Sequence, residues 1–170
     1  MKSSRKRQIV IAGAGIIGSI MAIALASEGF DVTVVDGATE KERIRQNKGR
    51  TYALSRTSKN LLANLGLWDA KKLNVSPIEN IVLSTKRSSS DTIRHLAEFS
   101  KESSEVEPSS YMIEDYYLRT VLGSELDRNT KIQLINSIEV IKDETDGYET
   151  KIMLSNKSSF TAEILIISDG

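Results

Sequence analysis

The stretch Gln8-Ile9-Val10-Ile11-Ala12-Gly13-Ala14-Gly15-Ile16-Ile17-Gly18 decides the fold. Gln8 to Ala12 is a short apolar, β-branched run bounded by glycine, which predicts a buried strand. Ile16 to Glu28 predicts the first helix, because Ile16, Ile17, Ile20, Met21, Ala24 and Leu25 recur at helical spacing. Gly29 is its stop. Asp31 to Val35 predicts a second strand, with Asp36 at its end. A lone G-x-G-x-x-G is weak. Between a strand and a helix, and followed by a second strand with an acidic end, it is a dinucleotide-binding fingerprint.

Each residue has a physical task. Gly13 allows the tight turn from strand to helix. Gly15 carries no side chain, so a pyrophosphate can reach the amides of the helix N-terminus, where the helix dipole favours negative charge. Gly18 lets the helix pack closely on the strands. Asp36 can accept hydrogen bonds from ribose hydroxyls, and its charge repels a 2′-phosphate. FAD and NAD are therefore favoured over NADP, and the turn alone does not separate those two.

The bulk numbers are those of an ordinary soluble domain: 170 residues, 39% hydrophobic and 27% charged. Lys plus Arg and Asp plus Glu balance at 23 each, so no overall field attracts nucleic acid, and no nucleic-acid partner is expected. The absence of Cys excludes disulfides and thiolate chemistry. The single His95, in a polar stretch, predicts a surface residue, and no metal site is expected. Lys2, Arg5, Lys6 and Arg7 precede an uncharged stretch from Gln8 to Ser27 that ends in Ala24-Leu25-Ala26. That pattern imitates a signal peptide or a marginal membrane span. The ordered glycines and the strand with an acidic end favour the βαβ unit instead.

Further along, Thr39 to Arg50 predicts a surface loop or short helix. Ser58 to Leu65 predicts a helix capped by Ser55 or Thr57, with an apolar face of Leu61, Leu62 and Leu65. Ile78 to Leu83 is a strand, and Lys86 to Pro108 an exposed polar connection. Tyr111 to Ile113 is extended. Asp115 to Leu126 is a helix with Tyr117, Leu118, Val121, Leu122 and Leu126 facing the core. Ile132 to Ile135 and Ile138 to Lys142 are strands, and Asp146-Gly147 is a hairpin turn. Thr150 to Ser155 pairs with Ser159 to Glu163. Ile164 to Ile167 is an apolar run of the kind found in a central parallel strand.

The blocks beyond the first βαβ unit carry a family resemblance. Arg50-Thr51-Tyr52-Ala53-Leu54-Ser55 leads into Leu61-Leu62-Ala63-Asn64-Leu65-Gly66-Leu67-Trp68. Tyr111-Met112-Ile113-Glu114-Asp115 is followed by Leu118-Arg119, and the chain ends on Ser168-Asp169-Gly170. Together these resemble the FAD-dependent aromatic hydroxylases of the para-hydroxybenzoate hydroxylase type, in the ubiquinone-biosynthesis branch.

The resemblance implies an α/β fold: a Rossmann-like FAD-binding domain with an inserted β-meander and part of a β-rich substrate domain, truncated. The implied organisation is FAD-binding domain over 1–76, a partial substrate-domain strand and polar connection over 77–110, FAD-domain helix and strand over 111–136, meander over 137–163 and return strand over 164–170. The implied reaction is hydroxylation of an aromatic ring with O2, FAD and NAD(P)H. The implied substrate is a polyprenyl-phenol or another aromatic. A cytoplasmic location follows, with association at the inner membrane or with a ubiquinone-biosynthesis complex as further expectations. By position, Gly13, Gly15, Gly18 and Asp36 would hold the ADP moiety. Arg50 would sit near the flavin or pyrophosphate, and Arg119 and Asp169 would complete the site. No catalytic acid or base is implied, because the cofactor carries the hard chemistry. The plain alternatives are a solvated charge for Arg50 and a helix-surface charge for Arg119.

Three departures stand out. Asp115 occupies the position of a family Asn or Gln, and an ionised Asp only accepts hydrogen bonds. Ile167 and Ser168 replace the first Gly and the Ala of Gly-Ala-Asp-Gly, and a β-branched residue there is expected to crowd a close backbone approach. The family's second half is absent, so the chain is expected to be an N-terminal portion, inactive alone. An NAD-dependent dehydrogenase domain and an inactive remnant are the competing readings.

Overall fold

The computed structural model describes residues 6–45, 49–86, 93–100, 107–108 and 110–169. Lys2, Arg5 and Gly170, and most of the predicted polar connection, lie outside them. In chain order the elements are β1 (Lys6–Ala12), α1 (Ile16–Ser27), β2 (Val32–Asp36), α2 (Glu40–Arg45), β3 (Thr51–Ser55), α3 (Arg56–Asn64), β4 (Ser76–Ile78), β5 (Asn80–Lys86), β6 (Ile93–Ser100), β7 (Ser110–Glu114), α4 (Asp115–Arg128), β8 (Ile132–Asn136), β9 (Val140–Thr145), β10 (Thr150–Leu154) and β11 (Ser159–Ile167).

The chain forms two compact units, Met1–Arg50 with Asp115–Gly170, and Thr51–Glu114. Expected boundaries after residues 76 and 110 both fall inside the second unit. The division has a local cause. β3 and β7 pair antiparallel from Thr51↔Glu114 to Ser55↔Ser110, so the chain enters and leaves the second unit on adjacent strands.

In the first unit a six-stranded sheet runs β8-β2-β1-β11-β10-β9. β8, β2, β1 and β11 are parallel, and β10 and β9 are antiparallel. Ile9 to Ala12 and Val32 to Val35 are buried along their whole length, as strands covered on both faces must be. On one face Val10 and Val35 cluster with Ile152, Leu154, Phe160 and Ala162 from β10 and β11. In α4, Leu118, Leu122 and Leu126 repeat every fourth residue and are buried, and the helix packs against α1.

The helix read from its spacing is present as α1, and its buried residues are Gly18, Ser19, Ala22, Ile23 and Ala26, while Ile17 is 68% exposed. The helix is apolar all round, so spacing could not choose its face, and the small residues win because they allow the closest approach. Ile164 to Ile167 is not a separate strand enclosed on both sides. It is the second half of β11, whose first half pairs with β10 while the strand as a whole pairs with β1. Ile164 and Ile167 are exposed.

In the second unit the sheet order is β3-β7-β4, with β5 and β6 as a separate two-stranded sheet. Ser55 is the cap of α3, its side chain accepting from the Ser58 amide at 3.2 Å. Leu62, Leu67, Leu73 and Ile113 are buried, whereas Leu61, expected on the apolar face, is exposed. Trp68 meets Tyr111 edge to face with ring centroids 5.2 Å apart. Within the expected polar connection, residues 93–100 form β6, paired with β5 in antiparallel register. The Ser- and Glu-rich flanks obscured that strand. His95 lies on it and is exposed, as expected.

Candidate functional site

The site grows from the end of β1. The Gly13 amide donates to the Val35 carbonyl at 2.7 Å, and the Ser168 amide donates to the Ala12 carbonyl at 2.7 Å. The ends of β2, β1 and β11 are thereby locked around the turn. Gly13 has φ +102°, and a Cβ there would lie 2.4 Å from the Ser168 carbonyl oxygen. A Cβ on Gly18 would lie 2.0 Å from the Gly13 carbonyl oxygen. Gly15 differs: a Cβ there would meet nothing within 4 Å. Two of the three glycines are therefore required by the protein itself, and the third leaves open space at the mouth of the turn. Ile167, expected to crowd this approach, is exposed; the close contact is made by the backbone of Ser168.

Gly15 is also the N-cap of α1 and offers no side-chain acceptor. No acidic residue stands in the first turn. The first amides of the helix thus lack intrahelical acceptors and carry the positive end of its dipole. This is an anion-binding geometry.

Asp36 stands at the end of β2 and does more than wait for a ligand. Its Oδ2 accepts from the Ala14 amide at 2.5 Å, inside the glycine turn, and its Oδ1 accepts from the Ala38 amide at 2.8 Å. Arg43 donates to the same Oδ1 at 3.1 Å, to the Ala38 carbonyl at 2.7 Å and to Asn136 Oδ1 at 3.0 Å. Arg43 lies on α2, within the stretch expected to be a surface loop or short helix, yet it is buried. Thr39 stands just before α2, its amide donating to Glu42 while Thr39 Oγ1 accepts from the Glu42 amide. That reciprocal cap starts the helix. The bond from the Thr39 amide holds the Glu42 carboxyl below its ordinary range. The Arg43 partner also offsets the charge by which Asp36 alone would repel a 2′-phosphate.

Arg43→Met is expected to lower stability by about 1–3 kcal/mol, because it leaves the Asn136 side chain and the Asp36 carboxylate short of a charged donor in a shielded place. Chemical denaturation reads this as a lower midpoint with an unchanged slope. An unchanged midpoint would mean that the three contacts carry no net free energy.

A cleft of about 600 Å³ opens in the first unit, lined by Gly13, Gly15, Asp36, Arg43, Arg119, Glu139 and Asp169 among others. Five of the seven residues expected at the site line it: Gly13, Gly15, Asp36, Arg119 and Asp169. Gly18 lies behind it under the turn. Arg50 does not line it; its side chain is exposed, and its carbonyl accepts from the Asp115 amide at 2.8 Å. Asp115 is fully buried, and its Oδ2 accepts from Arg119 Nε at 2.7 Å. The departure at Asp115 thus has a physical reason. A carboxylate in place of an amide holds Arg119, one turn along α4, against the cleft wall. Arg43 and Glu139 were missed. Arg43 could have been suspected from the Thr39/Glu42 cap, which starts a helix four residues after Asp36 and puts Arg43 in its first turn.

A strand, a glycine turn, a helix and a second strand with an acidic end, opening on one cleft, define a fold of the Rossmann type. The family model described as ketopantoate reductase PanE/ApbA matches residues 9–108, more than half of the chain, and the chain belongs to that family. That match takes in the glycine turn and stops before β7, α4 and β11. The likeness to hydroxylases runs further. Ubiquinone hydroxylase UbiL of Rhodospirillum rubrum is 26% identical over 163 residues, 95% of this chain and 37% of that protein. 3-demethoxyubiquinol 3-hydroxylase of Escherichia coli is 36% identical over 70 residues, 40% of this chain and 18% of that protein.

Among solved structures, pqsL of Pseudomonas aeruginosa, a probable FAD-dependent monooxygenase, superposes with a TM-score of 0.72 at 16% identity, covering 98% of this chain and 43% of that one. p-Nitrophenol 4-monooxygenase PnpA of Pseudomonas putida gives 0.71 at 15% identity, with 97% and 41% covered. The chain therefore has the fold of these monooxygenases and spans about two fifths of their length. The resemblance to the ubiquinone-hydroxylase branch rests on relatives aligned through β7, α4 and β11, beyond the reach of the reductase model. Among the described residues no helix is long and apolar enough to cross a membrane.

Proposed function

We propose that the chain forms the ADP-binding part of an FAD-dependent monooxygenase that hydroxylates an aromatic ring in ubiquinone biosynthesis, with NAD(P)H as electron donor. The observation that carries this is the uncapped start of α1 beside an open Gly15, with the Asp36 carboxylate across the same cleft, in a chain whose long alignments include two to ubiquinone hydroxylases. The amides at Gly15 and the first turn of α1 would take the pyrophosphate, helped by the Arg119 guanidinium. Asp36 would take the ribose, and Asp169 would close the end of the cleft near Gly13. Bound FAD supplies the redox and oxygen chemistry. This chain's own residues bind and orient its nucleotide half.

The substrate proposed is a polyprenyl-phenol. Its hydrocarbon tail partitions into a bilayer, and the location proposed for the protein is the cytoplasm, at the surface of the inner membrane. Hydroxylated product, detected by mass spectrometry after incubation with NADH or NADPH and a polyprenyl-phenol, tests the activity. The chain spans about two fifths of its monooxygenase neighbours and is expected to be inactive alone, so the assay is run with it joined to the remaining portion of such a relative; FAD-loaded, folded protein of that kind yielding no product would overturn the reaction while leaving the cofactor reading in place.

Asp36 offers a more local test. A carboxylate has about four acceptor positions. Ala14, Ala38 and Arg43 use three of them, so one is left for a ribose hydroxyl. Asp36→Ala is expected to weaken FAD binding by about 1–3 kcal/mol. Titration of the apoprotein measures it. An unchanged dissociation constant would show that Asp36 only ties the turn to α2.

A second reading, a nicotinamide dinucleotide in the same cleft, is favoured by the reductase family model over residues 9–108. NADH binding with no FAD binding would support it.

A further inference from the structure

Glu139 stands on the wall of the cleft beyond Asp36, and the fold holds it there by several independent contacts. Ser137 takes a left-handed φ of +60°, which turns the chain sharply out of β8. The Ile138 amide then donates to the Asp36 carbonyl at 3.1 Å, bringing the connection against the end of β2. The Glu139 amide donates to Ser155 Oγ at 3.1 Å, and the Ser155 amide donates back to the Glu139 carbonyl at 2.9 Å. The side chain lies across Gly37: a Cβ on Gly37 would come within 2.8 Å of Glu139 Cγ and Oε1. Glycine at 37 thus makes room for this side chain. Glu139, Val140, Asp36 and Gly37 share the cleft wall.

We infer that Glu139 reads the base of the dinucleotide, accepting a hydrogen bond from the exocyclic amine of adenine and rejecting a purine that carries a carbonyl there. This rests on the proposed binding of an adenine dinucleotide in the cleft. With the pyrophosphate at Gly15 and the ribose at Asp36, the base falls on the far side of Asp36. The wall there is Gly37, Glu139 and Val140. Val140 offers an apolar surface to a ring, and an ionised Glu139 offers only acceptors. Arg43, the nearby cation, donates to Asp36, Ala38 and Asn136. An amine at the purine 6-position donates to the carboxylate. A carbonyl there sets acceptor against acceptor, and such mismatches discriminate more strongly than the matched contact attracts.

The test compares FAD with flavin hypoxanthine dinucleotide, in which that amine is a carbonyl, by fluorescence titration of the full chain. The parent is expected to prefer FAD by roughly tenfold, the scale of one charge-assisted hydrogen bond. Glu139→Ala is expected to cut the preference to about twofold or less, and Glu139→Gln, whose amide can donate or accept, to do the same. Glu139 is exposed and its backbone bonds do not involve its side chain, so both variants should melt like the parent. Equal binding of the two dinucleotides by the parent, or an undiminished preference in Glu139→Ala, would overturn the inference while FAD binding itself stands. Folded parent that binds neither dinucleotide would overturn the cofactor reading and this inference together.

Discussion

Gly15→Val is expected to fold like the parent and to bind no FAD. The two halves of that expectation have separate physical grounds. A side chain at position 15 meets nothing within 4 Å, and Gly15 does not have a left-handed φ, so the fold loses no packing and stores no strain. The same side chain projects into the space from which a pyrophosphate must approach the first amides of α1. A branched side chain there keeps phosphate oxygens out of hydrogen-bond range, and the anion site at the helix end is lost. Circular dichroism and melting should match the parent, while flavin absorbance after incubation with FAD and gel filtration should vanish. Flavin retained at full occupancy would remove the turn from the binding site.

Gly18→Ala is expected to do the opposite and fail at the level of the fold. Its Cβ would stand 2.0 Å from the Gly13 carbonyl oxygen and 3.4 Å from Ser168 Oγ. The first contact is with backbone, which cannot rotate away. Relief requires moving α1 off the end of β1 or opening the turn that the Gly13–Val35 and Ala12–Ser168 bonds hold shut. Overpacking of a well-packed core costs about 1–3 kcal/mol, and a clash with backbone belongs at the top of that range or above it. A domain has only about 5–15 kcal/mol in hand. The expected result is a large drop in the denaturation midpoint, or insoluble protein. A midpoint within error of the parent would show that the turn relaxes freely and that Gly18 is not needed for packing. The paired outcomes matter because they test separately the two roles read from the motif, Gly15 serving the ligand and Gly18 serving the chain.

What the sequence made legible was local. The strand, the glycine spacing, the helix and Asp36 lie within thirty residues, and each constrains its neighbour, so the βαβ unit could be read directly. Ser55 as the cap of α3 and the Asp146-Gly147 turn were legible for the same reason. The rest depended on contacts distant in sequence. Arg43 reads as one of several charges on a polar helix until β8 brings Asn136 beside it, 93 positions away. Glu139 reads as a strand-end glutamate until Ile138 is tied to Asp36. Asp115 read as a departure from a family pattern, and only its burial against Arg119 gives it a purpose. The faces of α1 could not be told apart because that helix is apolar on every side, and close packing by Ala22 and Ala26 settles which side goes in. β11 read as two pieces because a continuous apolar run looks the same with a partner on one edge or on both.

The most direct measurement concerns which half of the flavin cofactor this chain holds. FAD and FMN are titrated separately into the purified protein by flavin fluorescence, and the FAD titration is repeated with ADP present in excess. A cleft built from the start of α1, Asp36 and Glu139 predicts saturable FAD binding, displacement of FAD by ADP and no saturable binding of FMN, which lacks the adenosine half. FMN binding as tightly as FAD, or FAD binding unmoved by ADP, would contradict it.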